Sequence, residues 1–137
     1  MSQTLTVRLA TPTDVKMLTA YLIAQQLPGS HESLVQYKLT SHQTLIALAL
    51  DDERVVGYCT ASLIPTLSDM ALTAIILELS AYEGTQSHDI KESLIQLLEL
   101  NFKRLSVERV VFLPPLKTPQ YGYQPYQRVM HYKKIKP

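Results

Sequence analysis

Glu78 is the only acid in the apolar run from Ala71 to Ala81, and a lone carboxylate in such a run has two readings. If it faces a cleft, desolvation raises its pKa into the range of a useful base. If it faces solvent or a nearby Lys or Arg, it is an ordinary charged residue of a sheet. Cys59 lies mid-strand beside Tyr58 with no neighbouring His, which favours a small buried hydrophobe over a nucleophile. One cysteine forms no internal disulfide, and His31, His42, His88 and His131 stand too far apart for local ligand spacing, so a zinc module is excluded. The histidines read as surface or capping residues.

The segment from Tyr121 to Lys136 interleaves tyrosines with Arg128, Lys133, Lys134 and Lys136, a combination that stacks bases and tracks phosphates in single-strand binders. The same residues suit an edge strand protected by lysines, the lining of a substrate cleft or a dimer seam. Residues 1 to 108 carry 7 basic and 12 acidic groups, and residues 109 to 137 carry 6 basic and none acidic. An anionic ligand or partner is therefore expected at the C-terminal third. The net charge is only +1 and no other segment adds to the basic patch, which weighs against a nucleic-acid binder.

These residues must be positioned by one domain over residues 1 to 137, since a chain of 137 residues with 46% hydrophobic content buries roughly two-thirds of its surface on folding. With no basic leader before a long apolar run, and no apolar run of membrane length, a soluble cytoplasmic protein is expected. Leu5, Val7 and Leu9 alternate with polar residues as in a half-buried strand. Thr11-Pro12-Thr13-Asp14 then reads as a helix N-cap, a proline at the first helical position and an acid three places on, with Val15, Leu18 and Leu22 at helical spacing up to Pro28-Gly29. Ser30 to Lys38 suggests a shorter helix with an apolar stripe at Leu34, Tyr37 and Leu39.

Thr44 to Leu50 and Val55 to Ile64, joined by Asp51-Asp52-Glu53-Arg54, predict a hairpin. Ala71 to Ala81 suits a central strand covered on both faces. Asp89 and Glu92 suggest a capping box opening a helix of about four turns, whose buried face is Ile90, Leu94, Leu98, Phe102 and Leu105. Val107 to Leu113 reads as another strand, Pro114, Pro115 and Pro119 bar a helix, and Arg128 to Lys136 suits a last strand. The fold class is α+β, in the order β-α-α-β-β-β-α-β-β, with a mixed, mostly antiparallel sheet flanked by helices.

Val7-Arg8-Leu9-Ala10-Thr11-Pro12-Thr13-Asp14, Arg54-Val55-Val56-Gly57-Tyr58 and Tyr121-Gly122-Tyr123, taken in this order of elements, resemble the GNAT superfamily of acetyl-CoA-dependent N-acetyltransferases over nearly the whole chain. The resemblance implies acetyl-CoA as co-substrate, a small-molecule or protein amine as acceptor, and possible homodimers. It also implies main-chain contacts from Leu77 and Leu79 to the pantetheine arm. Acid and base roles fall on Tyr121 and Glu78, because the family's tyrosine position is Thr118 here; Tyr121 also reads as a packing or interface residue. The family's pyrophosphate loop, Q/R-x-x-G-x-G/A, aligns with Gln86-Ser87-His88-Asp89-Ile90-Lys91. Gln86 and Ile90 match, whereas Asp89 and Lys91 stand at the glycine positions. Lys91 and His88 offer compensating charge, and an earlier register uses Gly84. The alternative implied by those departures is a GNAT-like scaffold without catalysis that acts through a protein partner.

Overall fold

The computed structural model describes residues 5–26, 31–65, 71–116, 120–125, 133 and 135. Five strands form one sheet in chain order: β1 (Leu5–Leu9), β2 (Thr44–Asp51), β3 (Arg54–Pro65), β4 (Leu72–Ala81) and β5 (Arg109–Phe112). The first four are antiparallel, and β5 returns parallel to β4 after the 18-residue helix α3 (Ser87–Arg104), since a parallel neighbour needs a crossover. Helices α1 (Val15–Ala24) and α2 (Glu32–Leu39) precede β2. The expected last strand, Arg128 to Lys136, lies almost entirely outside the described residues, as do Thr118 and Pro28-Gly29.

The alternation of small and large residues in the strands decides which helix packs where. In β2, Ala47 and Ala49 face α3, whereas Ile46, Leu48 and Leu50 face α1 and α2. Cys59 and Ala61 of β3 and Ala74 of β4 add small side chains to the α3 face, into which α3 inserts Ile90, Leu94, Ile95, Leu98 and Phe102. Gly57 allows the closest approach: a Cβ there would lie 2.8 Å from the Ser80 carbonyl oxygen and 2.9 Å from Ile90 Cγ2. Leu105, expected on the buried face, is 45% exposed just past the helix end.

Two local readings change. A 3-10 turn at Pro12–Asp14 precedes α1, and Asp14 accepts the Thr11 amide at 2.7 Å and a two-pronged contact from Arg8 at 2.8 Å on each carboxylate oxygen. That hydrogen bonding holds the Asp14 carboxyl below its usual range. In α2 the buried residue is Val35, whereas Tyr37 is 70% exposed, because the helix touches the sheet only along one short line. The predicted polar turn closes the β2–β3 hairpin with Asp51 opposite Arg54 and Asp52 at φ 57°. Among the described residues no helix is long and apolar enough to cross a membrane.

Candidate active site

Alternation along β3 places Tyr58, Thr60 and Ser62 on the α1/α2 side of the sheet, opposite Cys59 and Ala61. On β4 the alternation breaks. Thr60 pairs with Glu78 and Ala61 with Ile76, so Leu77 is an extra, unpaired residue: a β-bulge. The bulge lets consecutive residues, Leu77 and Glu78, line the same cavity of about 450 Å³ between the sheet, α1 and α2. Leu77 is 39% exposed there, and the side chain of Leu79 packs with the α3-side core.

Glu78 lies at the cavity's exposed rim, with both carboxylate oxygens held. Tyr58 donates its hydroxyl to Oε1 at 3.2 Å, and Thr60 donates Oγ1 to Oε2 at 3.1 Å. Burial, followed by the charge and hydrogen bond of Glu78, pushes the Tyr58 phenol well above its usual range, so it stays a donor at neutral pH. Behind it, Tyr21 packs edge-on to Tyr58 at 5.8 Å between ring centroids and shares a 2.8 Å hydrogen bond with Ser80. Burial, with a smaller contribution from Glu78, pushes the Cys59 thiol up to about 12, as suits a buried hydrophobe.

The bulge coincides with an opening in the sheet. The β4–β5 pairing ends at Ile76 and Phe112, with the Leu113 amide donating to the Ile76 carbonyl at 2.9 Å, and Pro114-Pro115 follow with no amide hydrogens to extend the ladder. The Tyr82 amide donates to Val56 at 3.0 Å, which fixes the alternation of hydrogen-bonded pairs along β3 and β4. Leu79 and Ala81 therefore turn their amides and carbonyls away from β3, toward an edge with no partner strand among the described residues.

The segment expected to be the pyrophosphate loop is mostly helix. Gln86 is the N-cap of α3, and Ser87, His88, Asp89, Ile90 and Lys91 already belong to the helix, so Asp89 sits in its first turn instead of capping it. The Ile90 side chain is fully buried, and its amide donates to the Gln86 carbonyl at 2.9 Å. The Ser87 amide donates to Gly84 at 3.3 Å, while the first-turn amides of His88 and Asp89 precede the first helical hydrogen bond. The β4–α3 connection itself is Tyr82 to Gln86.

Tyr121 lies on the α3 side of the sheet, away from Glu78. Its ring stacks on His88 at 5.7 Å and tilts against Phe112 at 6.0 Å, and burial together with the Glu92 charge raises its phenol. Tyr121 and Gly122, with φ of 58° and 85°, form the centre of a tight turn closed by the Tyr123 amide donating to Gln120 at 2.9 Å. The two residues expected to act as acid and base are thus not brought together. Sequence reading missed Tyr58, Thr60 and Lys38 of the cavity; the signal available was the period-two spacing of Tyr58, Thr60 and Ser62.

No family model matches the chain, and no curated protein sequence does. Solved structures do match its shape. An aminoglycoside acetyltransferase from an uncultured soil metagenomic sample, solved with sisomicin, superposes with a TM-score of 0.76 at 16% identity, covering 97% of each chain. The ribosomal-protein-alanine N-acetyltransferase of Brucella melitensis biovar Abortus 2308 gives 0.76 at 13% identity over 96% of this chain and 99% of its own. Glucosamine-6-phosphate N-acetyltransferase of Arabidopsis thaliana gives 0.76 at 9% identity over 97% and 99%. The fold is the GNAT acetyltransferase fold.

Proposed function

We propose that the protein is an N-acetyltransferase that moves an acetyl group from acetyl-CoA to a primary amine held in the Glu78 cavity. The observation that carries this reading is the position of Glu78: it follows the β4 bulge, faces an apolar cavity large enough for a small molecule, and adjoins a strand edge with no partner strand among the described residues. Acetyl-CoA would supply the acyl group as an activated thioester. The Leu79 and Ala81 main chain can pair with the amides of its pantetheine arm, and the first turn of α3 presents amides and a positive dipole end to its pyrophosphate. Glu78 accepts the proton that the acceptor nitrogen must lose as the C–N bond forms and the thioester C–S bond breaks, the coenzyme A thiolate leaving to take up a proton from solvent, and Tyr58 and Thr60 hold the carboxylate in place for that task.

Asp89 is the residue that favours a second reading, a GNAT-like scaffold acting through a protein partner, because its carboxylate competes with a phosphate for the same helix end. Titration calorimetry with acetyl-CoA separates the two. The enzyme reading expects micromolar binding and, with amine present, acetylated product by mass spectrometry. Absence of binding at millimolar acetyl-CoA overturns it in favour of the scaffold.

A further inference from the structure

The cavity that holds Glu78 is lined by a second charged residue, contributed by a helix and not by the sheet. Lys38, in the last turn of α2, lines it, and among the described residues Lys38 forms no ion pair. Thr44 and Ser62 line it too, and they are directly paired across β2 and β3, which brings their hydroxyls side by side. Ser62 is two residues along β3 from Thr60, the partner of Glu78, so the backbone positions that carry the two polar levels of the sheet are about 7 Å apart. Between and around them the walls are aliphatic, from Leu18, Leu22, Leu34, Val35, Ile46 and Leu77.

An apolar chamber with one carboxylate and one ammonium is matched by a ligand of the opposite polarity. We infer that the acceptor is a primary amine with an apolar body and an anionic group, carboxylate or phosphate, about 7 Å from the nitrogen, the anion being received by Lys38, Thr44 and Ser62. This rests on the acetyltransferase reading above. An extended dipeptide has nearly this span between its amino and carboxyl ends. A polycation is disfavoured, since among the described residues Glu78 is the only acid lining the cavity and Lys38 repels a second positive charge.

The test compares leucylglycine with leucylglycinamide, which differ only in the C-terminal charge, and adds aminobutyl phosphate as the phosphate-bearing amine and a polycationic aminoglycoside. Binding is measured by calorimetry and acetylation with acetyl-CoA, for the native chain, Lys38→Gln and Lys38→Arg. The expected result is a KM and a Kd for leucylglycine about tenfold below those of its amide. That ratio should collapse toward one in Lys38→Gln and be retained in Lys38→Arg. Stronger discrimination by the phosphate amine assigns the anion as phosphate, and by the dipeptide as carboxylate. Equal binding of acid and amide to the native chain, or a preference that survives Lys38→Gln, overturns the inference even if acetylation occurs. Charge-selective binding lost in Lys38→Gln without acetylation upholds the anion subsite and defeats the enzyme reading instead.

Discussion

The two faces of the sheet are built from the same strands and end in opposite states. On the α3 face, Ala47, Ala49, Gly57, Cys59, Ala61 and Ala74 keep the sheet surface low, and the large residues of α3 fill the space to exclusion of water. On the other face the strands present Ile46, Leu48, Leu50 and Tyr58, which bury against Leu18 and Tyr21 of α1, while α2 commits one buried residue, Val35, to the contact. The first arrangement closes completely, and the second forms a smaller core that leaves beside it a cavity floored by hydroxyls and a carboxylate. Both faces are buried along most of their length, and the cavity opens on only one of them, with β3 serving both through its two-residue period.

Mutations that separate the faces sharpen this contrast. Leu94→Ala removes a fully buried side chain from the α3 core and is expected to cost about 2–5 kcal/mol in urea unfolding. A loss well under 1 kcal/mol would mean that the α3 core contributes little to stability. Glu78→Gln on the open face is expected to lower acetyl transfer about 100-fold while moving the unfolding midpoint little. Unchanged turnover in a folded Glu78→Gln protein would remove the residue from catalysis.

Alkaline titration tests the same division through Tyr58. Its folded-state pKa lies above the usual 10.0, first because of burial and then because of Glu78. A raised value means that its contribution to stability is complete below pH 10.0 and falls as the pH rises past it, when the unfolded chain releases the proton first. Thermal unfolding followed from neutral to alkaline pH should show this decline, shallower in Glu78→Gln because the neighbouring charge is gone. The smallest effect concerns Asp89. Asp89→Asn removes a favourable interaction with the α3 dipole, about 0.3–1 kcal/mol of stability, and should tighten acetyl-CoA binding. Weaker binding in that variant would show that the carboxylate aids the coenzyme site.

Much of the fold is legible along the chain. The Ala47-Leu48-Ala49-Leu50 alternation, the polar Asp51 to Arg54 turn and the i, i+4 spacing of Ile90, Leu94 and Leu98 are local patterns, and the elements form where those patterns lie. The start of α3 was less legible, because Asp89 and Glu92 carry a capping signature while the preceding Ser87 and His88 also accept helical geometry. Tertiary packing extends the helix backward: Ile90 seats against Gly57, and Gln86 becomes the cap.

Glu78 stood out by type, a single acid among aliphatic residues, yet its surroundings depend on a cross-strand register that no local pattern contains. A one-residue shift in pairing exchanges the faces of a strand, and the bulge at Leu77 is such a shift built into β4. Residue identity and period therefore determined the elements, the α3 core and the presence of an unusual carboxylate. Only the tertiary structure decided that Tyr58 and Thr60 grip that carboxylate, that Lys38 shares its cavity and that Tyr121 lies across the sheet from it. Contacts between residues distant in sequence follow from register and packing, which are properties of the assembled chain rather than of any segment.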